Sequence, residues 1–228
     1  MTLTRTSMTV EQRLVSVRER IARACDRAGR NPESVTLVGV SKTFPVEIIA
    51  TAVQAGLADL GENRVQEGAP KVQALADRGL RPTWHLVGHL QTNKVKTAIK
   101  AFDIIHSVDS IRLAETIDRI AERVVPVFIE VNISGEASKE GVAQHELEDL
   151  LERARRLARV QVLGLMTVAP MADDPEDVRP IFRQLRALAS AHGLQGLSMG
   201  MTGDFEVAIE EGATHVRVGR AIFGERPA

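Results

Sequence analysis

From residue 35 to the end of the chain, short β-branched runs alternate with longer amphipathic stretches, and this alternation narrows the possible folds more than any other feature. Strands are predicted at 35–41, 58–61, 84–88, 104–108, 125–132, 162–167, 197–200 and 215–219, and a helix candidate fills each interval between them. Eight strand–helix units in 228 residues predict an α/β chain folded as a TIM-type parallel (β/α)8 barrel. The segment 58–61 offers little apolar content for a strand, so a doubly wound sheet is the alternative. Before the first strand, Thr9-Val10-Glu11-Gln12 forms a capping-box pattern. Leu14, Val17, Ile21 and Ala24 follow at helical spacing, which adds an N-terminal helix over 8–29.

Local signals agree with this layout. Pro45 suits a first helical turn, Asp109 or Ser110 can cap a helix over 111–122, and Pro175 with Glu176 can open a helix ending near His192-Gly193. No linker, low-complexity tract or further repeat interrupts the chain, so 1–228 is read as a single domain. A hydrophobic content of 44% is enough to fill its core. The formal net charge of −1 gives no electrostatic case for nucleic acid, and the mixed charges over 146–159 read as a solvated helix face. A lone cysteine, Cys25, excludes an internal disulfide and suggests a reducing compartment. The first residues lack the apolar centre of a signal peptide. No stretch approaches the roughly 20 apolar residues of a membrane span, so a soluble cytoplasmic protein is expected.

Lys42 follows the first strand and precedes a helix, the place where α/β proteins put their chemistry. A solvated strand-end lysine is one reading. The other is a desolvated amine whose lone pair is available for a Schiff base. Two glycine-rich segments favour the second: Ser198-Met199-Gly200-Met201-Thr202-Gly203-Asp204-Phe205 and the segment from Val216 through Gly219 to Gly224. Each follows an apolar run and opens a helix, so free backbone N–H groups can face an anion, with the Ser198 and Thr202 hydroxyls as added donors. Tight strand-to-helix turns would use the same residues. On a barrel, Lys42, Asn63, His89, Asn132, Met166, Thr167, Ser198, Arg217 and Gly219 fall at the carboxyl ends of the strands. A lysine at the first strand with a phosphate cup at the seventh and eighth suits a phosphorylated carbonyl ligand.

Other polar residues carry plainer readings. His85 and His89 are four apart but do not share a helix, and no further ligand accompanies them, so no metal is expected. His85 reads as a hydrogen-bonded core residue and His89 as a rim residue. Glu62, Glu67 and Asp204 are read as structural, Asp204 as a helix cap.

Several ordered motifs point further. Val40-Ser41-Lys42-Thr43, Gly61-Glu62-Asn63-Arg64-Val65-Gln66-Glu67, His85 through Lys94, Val131-Asn132, Lys139-Glu140-Gly141-Val142, Gly164-Leu165-Met166-Thr167, Ser198 through Thr202, Asp204-Phe205, and Arg217-Val218-Gly219 with Ile222-Phe223-Gly224 span nearly the whole chain. In these the sequence resembles the YggS/PROSC family of pyridoxal-phosphate homeostasis proteins, which share the barrel of the amino-terminal domain of alanine racemase. The resemblance implies pyridoxal 5′-phosphate as cofactor, held as an internal aldimine on Lys42. It also implies Ser198 and Thr202 hydroxyls near the phosphate, backbone N–H groups from Gly200, Gly219 and Arg220, and Asn63 and Met166 near the ring. Arg217 matches an arginine at the pyridine nitrogen, where a cation keeps that nitrogen unprotonated and weakens the ring as an electron sink. Arg220 departs from the small hydroxyl residue of the family pattern, which leaves charge rather than a hydroxyl at that point.

The implied function is to carry or buffer the cofactor in vitamin B6 and amino-acid homeostasis, without catalysis. The expected partners are the cofactor and, as recipients, apo forms of enzymes that use it; the chain is taken as a monomer with no nucleic-acid or membrane partner. An amino-acid racemase would need a second proton-transfer group. The tyrosine from a carboxyl-terminal β domain that serves alanine racemase has no counterpart in a chain without tyrosine that ends at Ala228. A Schiff-base aldolase acting on a sugar phosphate is the alternative from another enzyme class.

Overall fold

The structure, a computed structural model, describes residues 8–136 and 140–225. Eight parallel strands form its centre: β1 (Thr36–Val40), β2 (Asp59–Glu62), β3 (Thr83–Leu86), β4 (Ile104–Val108), β5 (Val125–Asn132), β7 (Val160–Met166), β8 (Gly196–Met201) and β9 (His215–Val218). Each pairs with the next in that order, and β9 pairs back onto β1. This closure leaves no sheet edge, so the barrel forms and the doubly wound alternative is excluded. The expected weak strand is present as β2, in register with β1 and β3. Its apolar content is low because it contributes Asp59 and Gly61 to the barrel interior rather than two hydrophobic faces. One element was not anticipated, the two-residue strand β6 (Val142–Ala143), which extends the end of β5.

The helices are α1 (Val10–Arg27), α2 (Val46–Gln54), α3 (Val65–Asp77), α4 (Val95–Ala101), α5 (Ile111–Ile120), α6 (Leu147–Ala154), α7 (Arg179–Ala191), α8 (Phe205–Glu210) and α9 (Arg220–Phe223). The capping box forms at α1: Thr9 Oγ1 accepts from Gln12 N, and Gln12 Oε1 accepts from Thr9 N. The helix is two residues shorter at each end than its expected span of 8–29. Pro45 is the N-cap of α2 rather than its first helical residue, and Pro175–Val178 forms a 3-10 turn ahead of α7.

The last helix, α9, has only four residues and cannot cover the sheet between β9 and β1. That place is taken by α1, which packs against α8, α9 and α2 and buries Leu14, Val17, Ile21, Ala24 and Cys25. Arg20 pairs with Glu206 and stacks over the Phe205 ring, while Arg27 pairs with Glu210. The N-terminal helix therefore completes the outer ring of the barrel.

Strand alternation divides the buried side chains into two sets. Leu60, Leu86, Ile105, Ile129, Leu165, Leu197, Val216 and their neighbours face outward into the main hydrophobic layer under the helices. Inside the barrel, Val38, Val40 and Val87 make a small separate apolar cluster. The rest of the interior is unusually polar for such a barrel, where branched aliphatic residues normally dominate. His85, His106, Ser198 and Arg217 are all buried there.

Candidate functional site

The turn that carries Lys42 is clamped from the side of α3. On its amino-terminal side, the Ser41 hydroxyl donates to Glu62 Oε1 at 2.7 Å and the Ser41 carbonyl accepts from Lys71 Nζ at 2.9 Å. On its carboxyl-terminal side, the backbone N–H of Thr43 donates to Glu67 Oε1. Lys71 Nζ ties both acids together, at 2.9 Å from Glu62 and 3.0 Å from Glu67. Thr43 adopts a left-handed conformation with φ of 69°, which a threonine takes at a cost and keeps only where its surroundings hold it. Phe44 is buried against Phe223 of α9. The flanking acids thus have the structural role expected of them, and that role is to fix the backbone of Lys42. Burial holds Glu62 above its usual carboxylate range despite Lys71 and Ser41, and its Oε2 has no hydrogen-bond partner among the described residues.

The other expected residues are distributed as follows. Lys42 and Asn63 are half-buried at the carboxyl ends of β1 and β2. Met166 is buried at the end of β7, and its alternation with the outward Leu165 directs it to the interior. Thr202 and Gly219, from the two glycine-rich turns, meet: the Gly219 N–H donates to Thr202 Oγ1 at 3.3 Å. Gly200 has φ of 90° and lies so close to α8 that an added Cβ would stand 2.6 Å from Ala208 Cβ, so this turn requires glycine. Arg220 is exposed at the start of α9. Asp204 precedes α8 but makes no side-chain cap to that helix; its carboxylate accepts from Met201 N inside the turn instead. Lys139, within one of the quoted motifs, lies outside the described residues, as do the first seven residues of the amino terminus.

Ser198 lies deeper than expected. It is the third residue of β8 and fully buried, and its hydroxyl faces the interior rather than the glycine-rich turn. Its Oγ accepts from Arg217 Nη1 at 2.6 Å and lies 2.7 Å from His106 Nδ1. Arg217 also donates from Nη2 to the Thr167 carbonyl at 2.8 Å. Burial lowers the guanidinium affinity for its proton, and the charges of Glu130 and Asp204 oppose that effect. Its pKa of about 10 leaves Arg217 charged at neutral pH.

Glu130 and His106 escaped the sequence reading, and Asp109 and Glu140 entered it only as a possible helix cap and as part of a motif. Glu130 shares the inward face of β5 with Phe128 and Asn132 and is nearly buried, and burial pushes its carboxyl up to about 7 against the pull of Arg217. An acid inside an otherwise apolar strand was the visible signal. His106 came from a run, Ile104 to Val108, that reads as plain core. Asp109 and Glu140 place carboxylate oxygens 3.3 and 3.4 Å from His89 Nδ1 at the exposed rim. His85, expected in the core, is fully buried and hydrogen-bonded to His106 and Asp59.

The alanine racemase N-terminal domain family matches residues 13–227. Among curated relatives, a pyridoxal phosphate homeostasis protein of Aquifex aeolicus is 49% identical over 224 residues, covering 94% of this chain and 97% of that one. Its Escherichia coli K12 namesake is 38% identical over 229 residues, covering 95% and 97%. The chain belongs to the pyridoxal phosphate homeostasis protein family. A solved member of this family, PipY of Synechococcus elongatus with PLP bound, superposes with a TM-score of 0.84 at 38% identity, over 95% of this chain and all of that one. Alanine racemase of Corynebacterium glutamicum shares the barrel alone, with a TM-score of 0.68 at 17% identity over 94% of this chain and 62% of the racemase. Homeostasis-family membership accounts for the barrel and for the motif order along the chain. Among the described residues, no helix is long and apolar enough to cross a membrane.

Proposed function

We propose that this chain binds pyridoxal 5′-phosphate reversibly through Lys42 and carries or buffers it in vitamin B6 and amino-acid homeostasis, without being an enzyme of amino-acid turnover. The observation that carries this reading is that the clamped Lys42 turn at the end of β1 and the paired Thr202–Gly219 turns at the ends of β8 and β9 lie on neighbouring strands at one rim of the barrel, with Arg217 buried on β9. When bound, the group would supply an aldehyde that amines can exchange. The residues fit it: Lys42 offers the amine, and Gly200, Thr202, Gly219 and Arg220 offer N–H groups and positive charge to a phosphate. Asn63 and Met166 would border the ring, Arg217 would answer the ring nitrogen, and Ser198 would act through its hydrogen bond to Arg217. The binding unit is the whole chain as one domain, acting in the cytoplasm as a monomer.

Arg217 is the feature that separates carrying from catalysis. A guanidinium fixed by Ser198, the Thr167 carbonyl and nearby carboxylates does not give up a proton to the ring nitrogen, so the ring remains a poor sink for carbanion electrons. A chain without tyrosine also lacks the residue type that serves alanine racemase as its second proton-transfer group. Adding pyridoxal phosphate to purified protein should produce a visible absorption band that Lys42→Ala abolishes, with no racemase or transaminase turnover above free cofactor. A band retained in Lys42→Ala would remove the site, and turnover by the loaded protein would remove the carrier reading.

A further inference from the structure

A chain of hydrogen bonds crosses the barrel interior from Arg217 to the opposite end of the sheet. Arg217 Nη1 donates to Ser198 Oγ at 2.6 Å. Ser198 Oγ lies 2.7 Å from His106 Nδ1, His106 Nε2 lies 2.8 Å from His85 Nδ1, and His85 Nε2 lies 3.0 Å from Asp59 Oδ1. The two histidines and Ser198 have no solvent exposure, whereas Asp59, the first residue of β2, is partly exposed at the amino-terminal end of the barrel. Five groups from five strands thus join the cofactor mouth to the far end of the barrel through its buried interior.

With neutral imidazoles, the carboxylate end sets the direction of every bond. A guanidinium only donates, and an ionised carboxylate only accepts. Asp59 therefore accepts a hydrogen bond from His85 Nε2–H, which leaves His85 Nδ1 as an acceptor. His106 must then donate from Nε2 and accept at Nδ1, and the Ser198 hydroxyl supplies that last proton. In this arrangement both rings carry the proton on Nε2. Burial, and after it the neighbouring histidines and Arg217, keep His106 from charging. Phe128 stacks on His106 at 4.5 Å between ring centroids, and His215 packs against both rings.

We propose that Asp59, His85, His106 and Ser198 act together as a positioning relay that holds the Arg217 guanidinium at the ring-nitrogen end of the site and links its strength there to the negative charge of Asp59. The assignment to the ring nitrogen rests on the pyridoxal-phosphate reading; the relay itself rests on the hydrogen-bond geometry. From the mouth side Arg217 faces Glu130 and Asp204, so the relay supplies its only link toward a carboxylate at the barrel's far end among the described residues.

The test uses the full chain labelled with ¹⁵N in histidine, first without cofactor. Wild type should show His85 and His106 as neutral Nε2–H tautomers. Asp59→Asn removes the anion but keeps the shape, and should populate the Nδ1–H form of His106, which Asp59 does not touch. Pyridoxal phosphate affinity is then measured for Asp59→Asn, Ser198→Ala and the double variant. Asp59→Asn should weaken binding by about threefold to tenfold, and should add no further loss once Ser198→Ala has cut the relay. His85→Gln, a second break in the chain, should repeat the Asp59→Asn result if the latter variant folds poorly. A His106 tautomer that ignores Asp59→Asn, or an equal loss of affinity with and without Ser198, would overturn the relay. Absence of any pyridoxal phosphate binding by wild type would overturn the cofactor reading instead, with the tautomer result still deciding whether the chain of bonds exists.

Discussion

At the residue scale the site is a set of polar groups whose burial is balanced unevenly. Lys71 pairs with Glu62 and Glu67 together, and that pairing is what keeps the Lys42 turn in shape. Glu130 is different, because burial outweighs Arg217 and raises its carboxyl from 4.5 to about 7. A carboxyl that holds its proton more tightly when folded adds stability below its unfolded pKa, and that contribution is lost as pH rises through the folded value. The window is therefore about 4.5 to about 7. Glu130→Gln should gain stability relative to wild type as pH rises from about 5 to about 8, by up to about 3 kcal/mol. Urea unfolding at the two pH values checks this, and a pH-independent difference would contradict it. Lys42, Arg217 and the glycine turns were legible in the sequence because each sits next to a strand end or a backbone constraint. Glu130 and His106 were not, because their importance depends on which strands meet across the barrel.

At the scale of elements, the strand alternation was enough to predict the barrel, even where 58–61 looked too polar. The polar content of β2 makes sense once the interior is seen to hold Asp59, His85 and His106 rather than a uniform aliphatic filling. The position of α1 was open between an end of the barrel and another surface, since an amphipathic stripe does not name its partner. Its place follows from the brevity of α9, which leaves the last gap in the helical ring uncovered. Leu14 and Ile21 should then behave as core residues rather than as surface additions. Leu14→Ala should cost about 2–5 kcal/mol in chemical unfolding, since a buried leucine loses both its transfer energy and its packing. A cost within about 0.5 kcal/mol, typical of a surface position, would show that α1 is dispensable to the barrel.

At the scale of the whole molecule, the proposed function puts a covalent anchor, Lys42, half-buried at the rim of the barrel. Carriage requires release, and release at an amine-bearing site is fastest when a second amine exchanges with the lysine. Dissociation of bound pyridoxal phosphate should accelerate with added free amino acid or with an apo-enzyme acceptor, followed by loss of the visible band. A rate unchanged by either would exclude delivery by amine exchange while leaving storage intact. The most direct measurement is borohydride reduction of the loaded protein followed by peptide mass mapping. The account predicts a single phosphopyridoxyl adduct on Lys42. No adduct, or adducts scattered over surface lysines such as Lys94, Lys96 and Lys100, would contradict the site and with it the proposed function.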